Sequence, residues 1–378
     1  MSVTLTIPPP RFVFMEVNKR CNLKCTHCDF WQRDDDDRAN YLSLEQKRSI
    51  LEEFAEINPE GNLVICGGEP MLDLEEYFGL AAAARQNGIR VLSVVNGTRI
   101  RRAEMAERMV REGPNEISIS LNSHIPALHD ETRGVPGAFE KATEAIRLLV
   151  DAKRRLGAED TRIYVMGLIF GRNYREIDGF YDFVLNDLGA DQLKLNFIQP
   201  SFGQAGEIDP FFEAESDVDG DEIVDIISRC NEKYGLGLNP IWIGQVGMYF
   251  RSLAKINKDD RKRGWGASKG TDEHICNTYN RNIMINHYGV ARLCFSVGFP
   301  GKVLEKRGDL TSFWAGANGI RARMRKCNQF CGISHSVRRE SSTEKGRDKM
   351  VAHEARFGVV PPPGPVTELM EGIRAFIR

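Results

Sequence analysis

Three cysteines stand within one short stretch near the start of the chain, Cys21, Cys25 and Cys28, in the spacing C-x3-C-x2-C. Three thiolates on one loop can bind three irons of a cubane cluster and leave the fourth iron open. An open iron can chelate a small molecule. Two blander readings compete: a zinc site and a set of buried thiols. Structural zinc usually takes four ligands from C-x2-C pairs, and this loop offers three. A second group, Cys276, Cys294, Cys327 and Cys331, lies toward the other end. Four cysteines, two flanking a predicted hairpin and two on a nearby loop, can fully ligate one cluster. A four-cysteine zinc site reads equally well from that spacing. Of the two cysteines left over, Cys230 falls within a helical stretch and reads as structural. Cys66 reads as a small core thiol, with a hydrogen-donor role as the catalytic alternative.

Nine cysteines, an odd number, in a chain of 378 residues argue against a disulfide framework. Apolar residues make up 42% and charged residues 28%, with a net charge of −2. That balance is ordinary for a soluble globular protein and gives no sign of a general nucleic-acid or anionic-membrane binder. The first residues, MSVTLTIPPPRFVF, carry no charged n-region, so no signal peptide is read. The apolar runs are far short of a membrane span. The expectation is a cytoplasmic protein with neither a nucleic-acid nor a membrane partner.

The elements that must position these residues alternate regularly. Strands are expected at 11–17, 62–70, 90–97, 115–123, 162–170 and 191–199, with helical stretches between them. Ser43 is placed to cap the helix over 42–57, and Gly88 to end the one from 74. Six such units predict an α/β fold with a parallel sheet, a partial (β/α)6 barrel rather than a closed eight-stranded one. Its site would lie at the C-terminal ends of the strands, where each cysteine or glycine loop falls. The expected boundaries are 1–205 for the barrel, 206–275 for a linker and helical connection, 276–335 for a small cysteine-rich β-hairpin domain, and 336–378 for a polar tail with a short helix. The acidic stretches at 34–37 and 207–221 read as solvated loops.

The loop from Cys21 to Cys28 resembles the cluster loop of the radical SAM superfamily. Two further stretches carry the same resemblance: Gly67-Gly68-Glu69-Pro70 after the second strand, and SLNSHIPALHDETRGVPGAF over 120–139. The likeness covers roughly residues 11–200. It implies that S-adenosylmethionine (SAM) chelates the open iron of a 4Fe–4S cluster on Cys21, Cys25 and Cys28. The reduced cluster would then cleave it to a 5′-deoxyadenosyl radical that abstracts hydrogen from a substrate. On the same resemblance Gly67 and Gly68 present backbone to the methionine amino group, and Glu69 adds charge or fixes the turn. Ser120 and Asn122 contact ribose and carboxylate, with asparagine where many relatives have aspartate. Arg133 pairs with the carboxylate, its alternative being a surface arginine. His27 packs on adenine. Asn96, at the end of the third strand, points toward the cavity or simply forms an Asn-Gly turn.

The C-x12-G-x4-C run from Cys276 through Gly289 to Cys294 resembles the start of the SPASM and twitch extensions of that superfamily. Lacking the longer SPASM cysteine run, the chain resembles a twitch unit with one auxiliary 4Fe–4S cluster for electron transfer. The implied function is oxidation of a small polar, sugar-like or aminocyclitol-like substrate. An external one-electron donor, a flavodoxin or ferredoxin, would supply the cluster. The alternatives are a peptide-modifying maturase and, from another class, a metal-stabilised binding protein without turnover.

Overall fold

The computed structural model describes residues 7–28, 30–32, 38–199, 209–254, 274–275, 278, 281–295, 299–325 and 337–338. Six strands follow in order: β1 (Phe12–Glu16), β2 (Asn62–Cys66), β3 (Arg90–Val95), β4 (Glu116–Ser120), β5 (Arg162–Ile169) and β6 (Gln192–Phe197). Each pairs in parallel with the next. The helices between them are α1 (Leu44–Ile57), α2 (Leu74–Gln86), α3 (Ala103–Glu112), α4 (Pro126–Arg133), α5 (Ala138–Leu156) and α6 (Ile177–Asp182). This is the expected partial barrel, and all six strands point their C-terminal ends the same way.

Local sequence explains the elements. Ser43 accepts from the Gln46 backbone while the Gln46 side chain accepts from the Ser43 backbone, a capping box that starts α1. Helix α2 gives way at Asn87, and Gly88 follows with φ +72°, a conformation glycine adopts without steric cost. Within β1, Val13 and Met15 are wholly buried in the main core, while Phe12 and Phe14 face the other way and are half-buried. The same alternation runs through β3 and β5. One face of the sheet is therefore sealed by helices, and the other forms an inner wall. At the N-terminal ends of the strands Glu116 accepts from Arg90 and, at 3.1 Å, from Lys194, whose ammonium lies 3.7 Å from the Tyr164 ring centre.

The predicted hairpin at 282–294 is present as β8 (Asn282–Ile285) and β9 (Val290–Arg292), with β7 (His274–Ile275) before it and β10 (Lys302–Val303) after it. It is not set apart from the barrel. Strand β8 lies parallel to β1, so the sheet runs β10-β9-β8-β1-β2-β3-β4-β5-β6. No local pattern announces that pairing, because it joins strands at opposite ends of the chain. Strand β7 pairs with β11 (Val337–Arg338), which lies in the stretch expected as tail. The region expected as connection holds α7 (Pro210–Glu215), α8 (Gly220–Tyr234) and α9 (Pro240–Ala254). Asp209 and Asp219, read from sequence as loop acids, cap α7 and α8. The acidic residues at 34–37 and the C-terminal helix expected near 366–378 lie outside the described residues. Among the described residues no helix is long and apolar enough to cross a membrane.

Candidate active site

The cysteine loop leaves the C-terminal end of β1 and is gripped on two sides. On one side is the Gly-Gly-Glu-Pro turn after β2. Gly68 N–H donates to the Asn18 carbonyl at 2.8 Å, and Glu69 N–H to the Arg20 carbonyl at 2.6 Å. A Cβ on Gly68 would sit 2.0 Å from the Arg20 carbonyl oxygen, so any side chain there would push the loop away. On the other side, the end of α4 pairs with the loop: Lys24 N–H donates to the Arg133 carbonyl and Thr26 N–H to the Thr132 carbonyl. Gly134 (φ +65°) makes that approach possible, since its Cβ would fall 2.2 Å from the Lys24 carbonyl oxygen. These motif glycines thus have a direct physical reason in the loop's own backbone. The Trp31 indole N–H, donating to the Cys25 carbonyl at 3.0 Å, adds a third fixing point.

The thiols sit in a small apolar patch of their own, with Leu23, Val135 and Ala138. Burial pushes the Cys21 thiol up to about 11, helped by the charges of Glu69 and Cys25 and opposed by the Leu23 N–H and Arg133. A thiolate there calls for a cation or for hydrogen-bond donors, and donors are present. Leu23 N–H donates to Cys21 Sγ at 3.4 Å, and Arg133 Nη1 to Cys25 Sγ at 3.5 Å. Among the described residues, no three His, Cys, Asp or Glu side chains are grouped as ligands of a single ion would be. A cubane places each thiolate on a different iron, so its ligands need not crowd in that way. Shielded thiols with N–H donors toward sulfur fit such a cluster.

Arg133 is only 7% exposed, which removes the surface-arginine alternative. Its Nη2 reaches Asn122 Oδ1 at 3.5 Å, and its Nε is buried with no partner. A buried guanidinium with an unmade hydrogen bond is suited to an anionic group such as a carboxylate. Asn122 is tied down on every side. Its Nδ2 donates to Thr132 Oγ1, its N–H to His129 Nδ1, and its carbonyl accepts from Asn173. Ser120 ends β4 half-buried, opposite Met166 of β5. The His27 ring lies 5.6 Å from Phe211, and desolvation followed by Arg133's charge holds it neutral, down at about 3.

Glu69 is 1% exposed and clamps two elements: Oε1 accepts from Met71 N–H and Oε2 from Asn96 N–H, at 3.0 and 2.7 Å. Burial pushes its carboxyl up to about 7, against the Asn96 and Met71 N–H groups and the charges of Arg133 and Arg99. A carboxyl raised in the folded state binds its proton more tightly there than in the unfolded chain. Its contribution to stability is therefore fully present below the ordinary value of 4.5 and is lost as pH rises through 7. That amounts to about 3 kcal/mol. His27 and His129, both held neutral by burial, act in the opposite direction. Urea melts of metal-free protein should therefore show the Glu69 share as a difference. Between pH 4.5 and 7 the wild type should lose stability relative to Glu69→Gln, and a gap that stays constant with pH would refute this.

Cys66 ends β2 on the inner face, opposite Glu16 of β1. Desolvation and the Glu16 charge raise its thiol well above the ordinary range, so it stays protonated. Three features had no signal in the sequence. The first is the Glu16 carboxylate, 3.0 Å from His287 Nδ1 of the β8–β9 turn. The second is Asn22 together with Thr98, both bonded to Asn96. The third is Thr132, whose hydroxyl meets Asn122. Each is an ordinary residue type made special only by tertiary contact.

Of the second cysteine group only Cys294 is described, half-buried just after β9 and next to Phe295, whose ring meets Phe14 edge-on at 4.7 Å. Cys276, Cys327 and Cys331 lie outside the described residues.

Residues 15–184 match the family model of the radical SAM superfamily. The chain is 29% identical over 206 residues to the AdoMet-dependent heme synthase of Methanosarcina barkeri, covering 54% of this chain and 55% of that protein. It is 26% identical over 201 residues to the antilisterial bacteriocin subtilosin biosynthesis protein AlbA of Bacillus subtilis, covering 53% and 42%. The chain thus spans about half the length of the curated relatives it matches. In fold it is similar to Streptococcus suis SuiB bound to its precursor peptide SuiA, with TM-score 0.57 at 15% identity, covering 82% of this chain and 65% of that one. Over residues 15–184, less than half of its length, the chain has the sequence pattern of a radical SAM domain.

Proposed function

We propose that the protein uses a 4Fe–4S cluster on Cys21, Cys25 and Cys28, with SAM on its open iron, to remove a hydrogen atom from a C–H bond of a peptide. The observation that carries the reading is the cysteine loop itself, held by glycine-mediated backbone contacts on both sides with N–H donors turned toward its sulfurs. When bound, the cluster and SAM supply an electron and a homolysable S–C bond, and hence a 5′-deoxyadenosyl radical. The chain's own residues bind and orient. Arg133, with its partnerless Nε, holds the methionine carboxylate. Glu69 fixes the turn whose glycines lie against the loop and, through Asn96, the end of β3. Neutral His27 packs on adenine, and Ser120 meets the ribose. The Leu23, Val135 and Ala138 patch keeps water from the thiolates. Cys66, protonated on the inner wall, is placed to meet a substrate there.

The peptide reading draws support from the names of AlbA and of SuiB with its precursor peptide. It replaces the small cyclitol-like substrate expected from the two-cluster layout. A tetrapyrrole is the second reading, favoured by the identity with a heme synthase. In either case Cys276, Cys294, Cys327 and Cys331 hold an auxiliary cluster, and a flavodoxin or ferredoxin delivers the electron. Reconstituted, reduced protein with SAM should release 5′-deoxyadenosine. That product should carry deuterium when a deuterated candidate precursor peptide is supplied. Deuterium arriving from labelled coproporphyrin instead would move the substrate to the tetrapyrrole class. No 5′-deoxyadenosine from iron-replete protein would end the radical reading.

A further inference from the structure

Asn96, Asn22 and Thr98 form a closed ring of hydrogen bonds beside Cys21. Asn96 Nδ2 donates to Asn22 Oδ1 at 2.9 Å. Asn22 Nδ2 donates to Thr98 Oγ1 at 2.8 Å. The Thr98 hydroxyl donates back to Asn96 Oδ1 at 2.7 Å, and Thr98 N–H reaches the same oxygen at 2.9 Å. Every donor meets an acceptor in one sense around the ring, which fixes the orientation of both amides. The Asn96 amide cannot flip without facing its NH2 against two Thr98 donors. Its backbone is fastened as well, since its N–H donates to Glu69 Oε2. The second N–H of Asn96 Nδ2 is thereby left for Cys21 Sγ, 3.9 Å away. Asn22, the residue after Cys21, is held by the same ring, so sulfur and amide keep their relation.

We infer that Asn96 is a positioning residue that sets the reduction potential of the SAM-binding cluster by presenting an N–H to the Cys21 thiolate, with Thr98 and Asn22 fixing which end of its amide faces the sulfur. The inference rests on the cluster assignment proposed above. Reduction adds negative charge to a cluster, and an N–H dipole aimed at a ligand sulfur stabilises that charge, so the donor makes reduction easier. An oxygen in the same place would do the reverse. The arrangement matters here because the cluster must be reduced by an external donor before anything else happens.

The test is an EPR-monitored redox titration of anaerobically reconstituted full-length protein, following the reduced-cluster signal that changes shape when SAM is added. Asn96→Asp keeps the shape and replaces the donor by an acceptor. Its cluster should titrate at a clearly more negative potential than wild type, with unchanged iron content. Thr98→Val removes the hydroxyl that closes the ring but leaves the Asn96 amide in place. It should shift the potential the same way and by less, which keeps the inference testable if Asn96→Asp takes up no cluster. Potentials in both variants equal to wild type, or a Thr98→Val potential that does not move, would overturn the role of Asn96. If wild-type protein gives no SAM-responsive cluster signal at all, the cluster assignment fails and the inference falls with it.

Discussion

Cys25→Ala protein, reconstituted anaerobically, is expected to release 5′-deoxyadenosine at least ~10³-fold more slowly than wild type, a barrier rise of about 4 kcal/mol. Cys25 is the most enclosed of the three thiols, with Arg133 donating to its sulfur and Trp31 to its carbonyl. A cubane with two protein thiolates instead of three is not held against loss of iron. Iron content should fall from about eight per chain toward about four if the C-terminal cysteines carry a cluster of their own. Zinc or nothing at that second site would appear as about four irons in the wild type. Cys230→Ala is the control. That thiol lies on α8 with Asp178 nearby, in the main core rather than in the apolar patch of the loop's thiols, and its loss should leave SAM cleavage unchanged. Cleavage surviving in the Cys25→Ala protein would refute the ligand assignment.

The second large effect concerns Arg133. Arg133→Met keeps the length of the side chain and removes its charge. Truncating one member of a buried charge pair costs about 2–5 kcal/mol, so SAM affinity should weaken by roughly 30- to 5,000-fold. Arg133→Lys should recover only part of this, because an ammonium cannot reach Cys25, Asn122 and a carboxylate at once as the guanidinium fork can. Anaerobic calorimetry with SAM reads the affinity, and the iron content of each variant separates lost binding from lost cluster. Equal affinity in the Arg133→Met protein at full iron content would remove Arg133 from the SAM site. Its guanidinium would then be a structural partner of Cys25 and Asn122 alone.

Much of the fold could be read locally. The six barrel strands fall within a few residues of their expected places, because each is a short apolar run bounded by glycine, asparagine or a helix cap. The capping box at Ser43 and the stop at Gly88 rest on interactions within a few residues, which sequence displays directly. The hairpin at 282–294 was legible for the same reason. Its parallel pairing with β1 was not, since register between distant strands leaves no local mark.

The site divides along the same line. By itself the sequence determined which chemistry is present: three thiols at cluster spacing, a double-glycine turn, and an arginine at a fixed distance after the fourth strand. Such features depend on residue type and spacing, and the chain carries both wherever it goes. Only the tertiary structure decided what these residues touch. It made Arg133 buried rather than superficial, and it gave Gly68 and Gly134 their reason in the backbone of the cysteine loop. It also turned Asn96 from a turn residue into a donor beside Cys21, by closing a ring through Asn22 and Thr98. Burial and hydrogen-bond direction are properties of assembled elements, and they emerge only when strand ends far apart in the chain meet at one edge of the sheet.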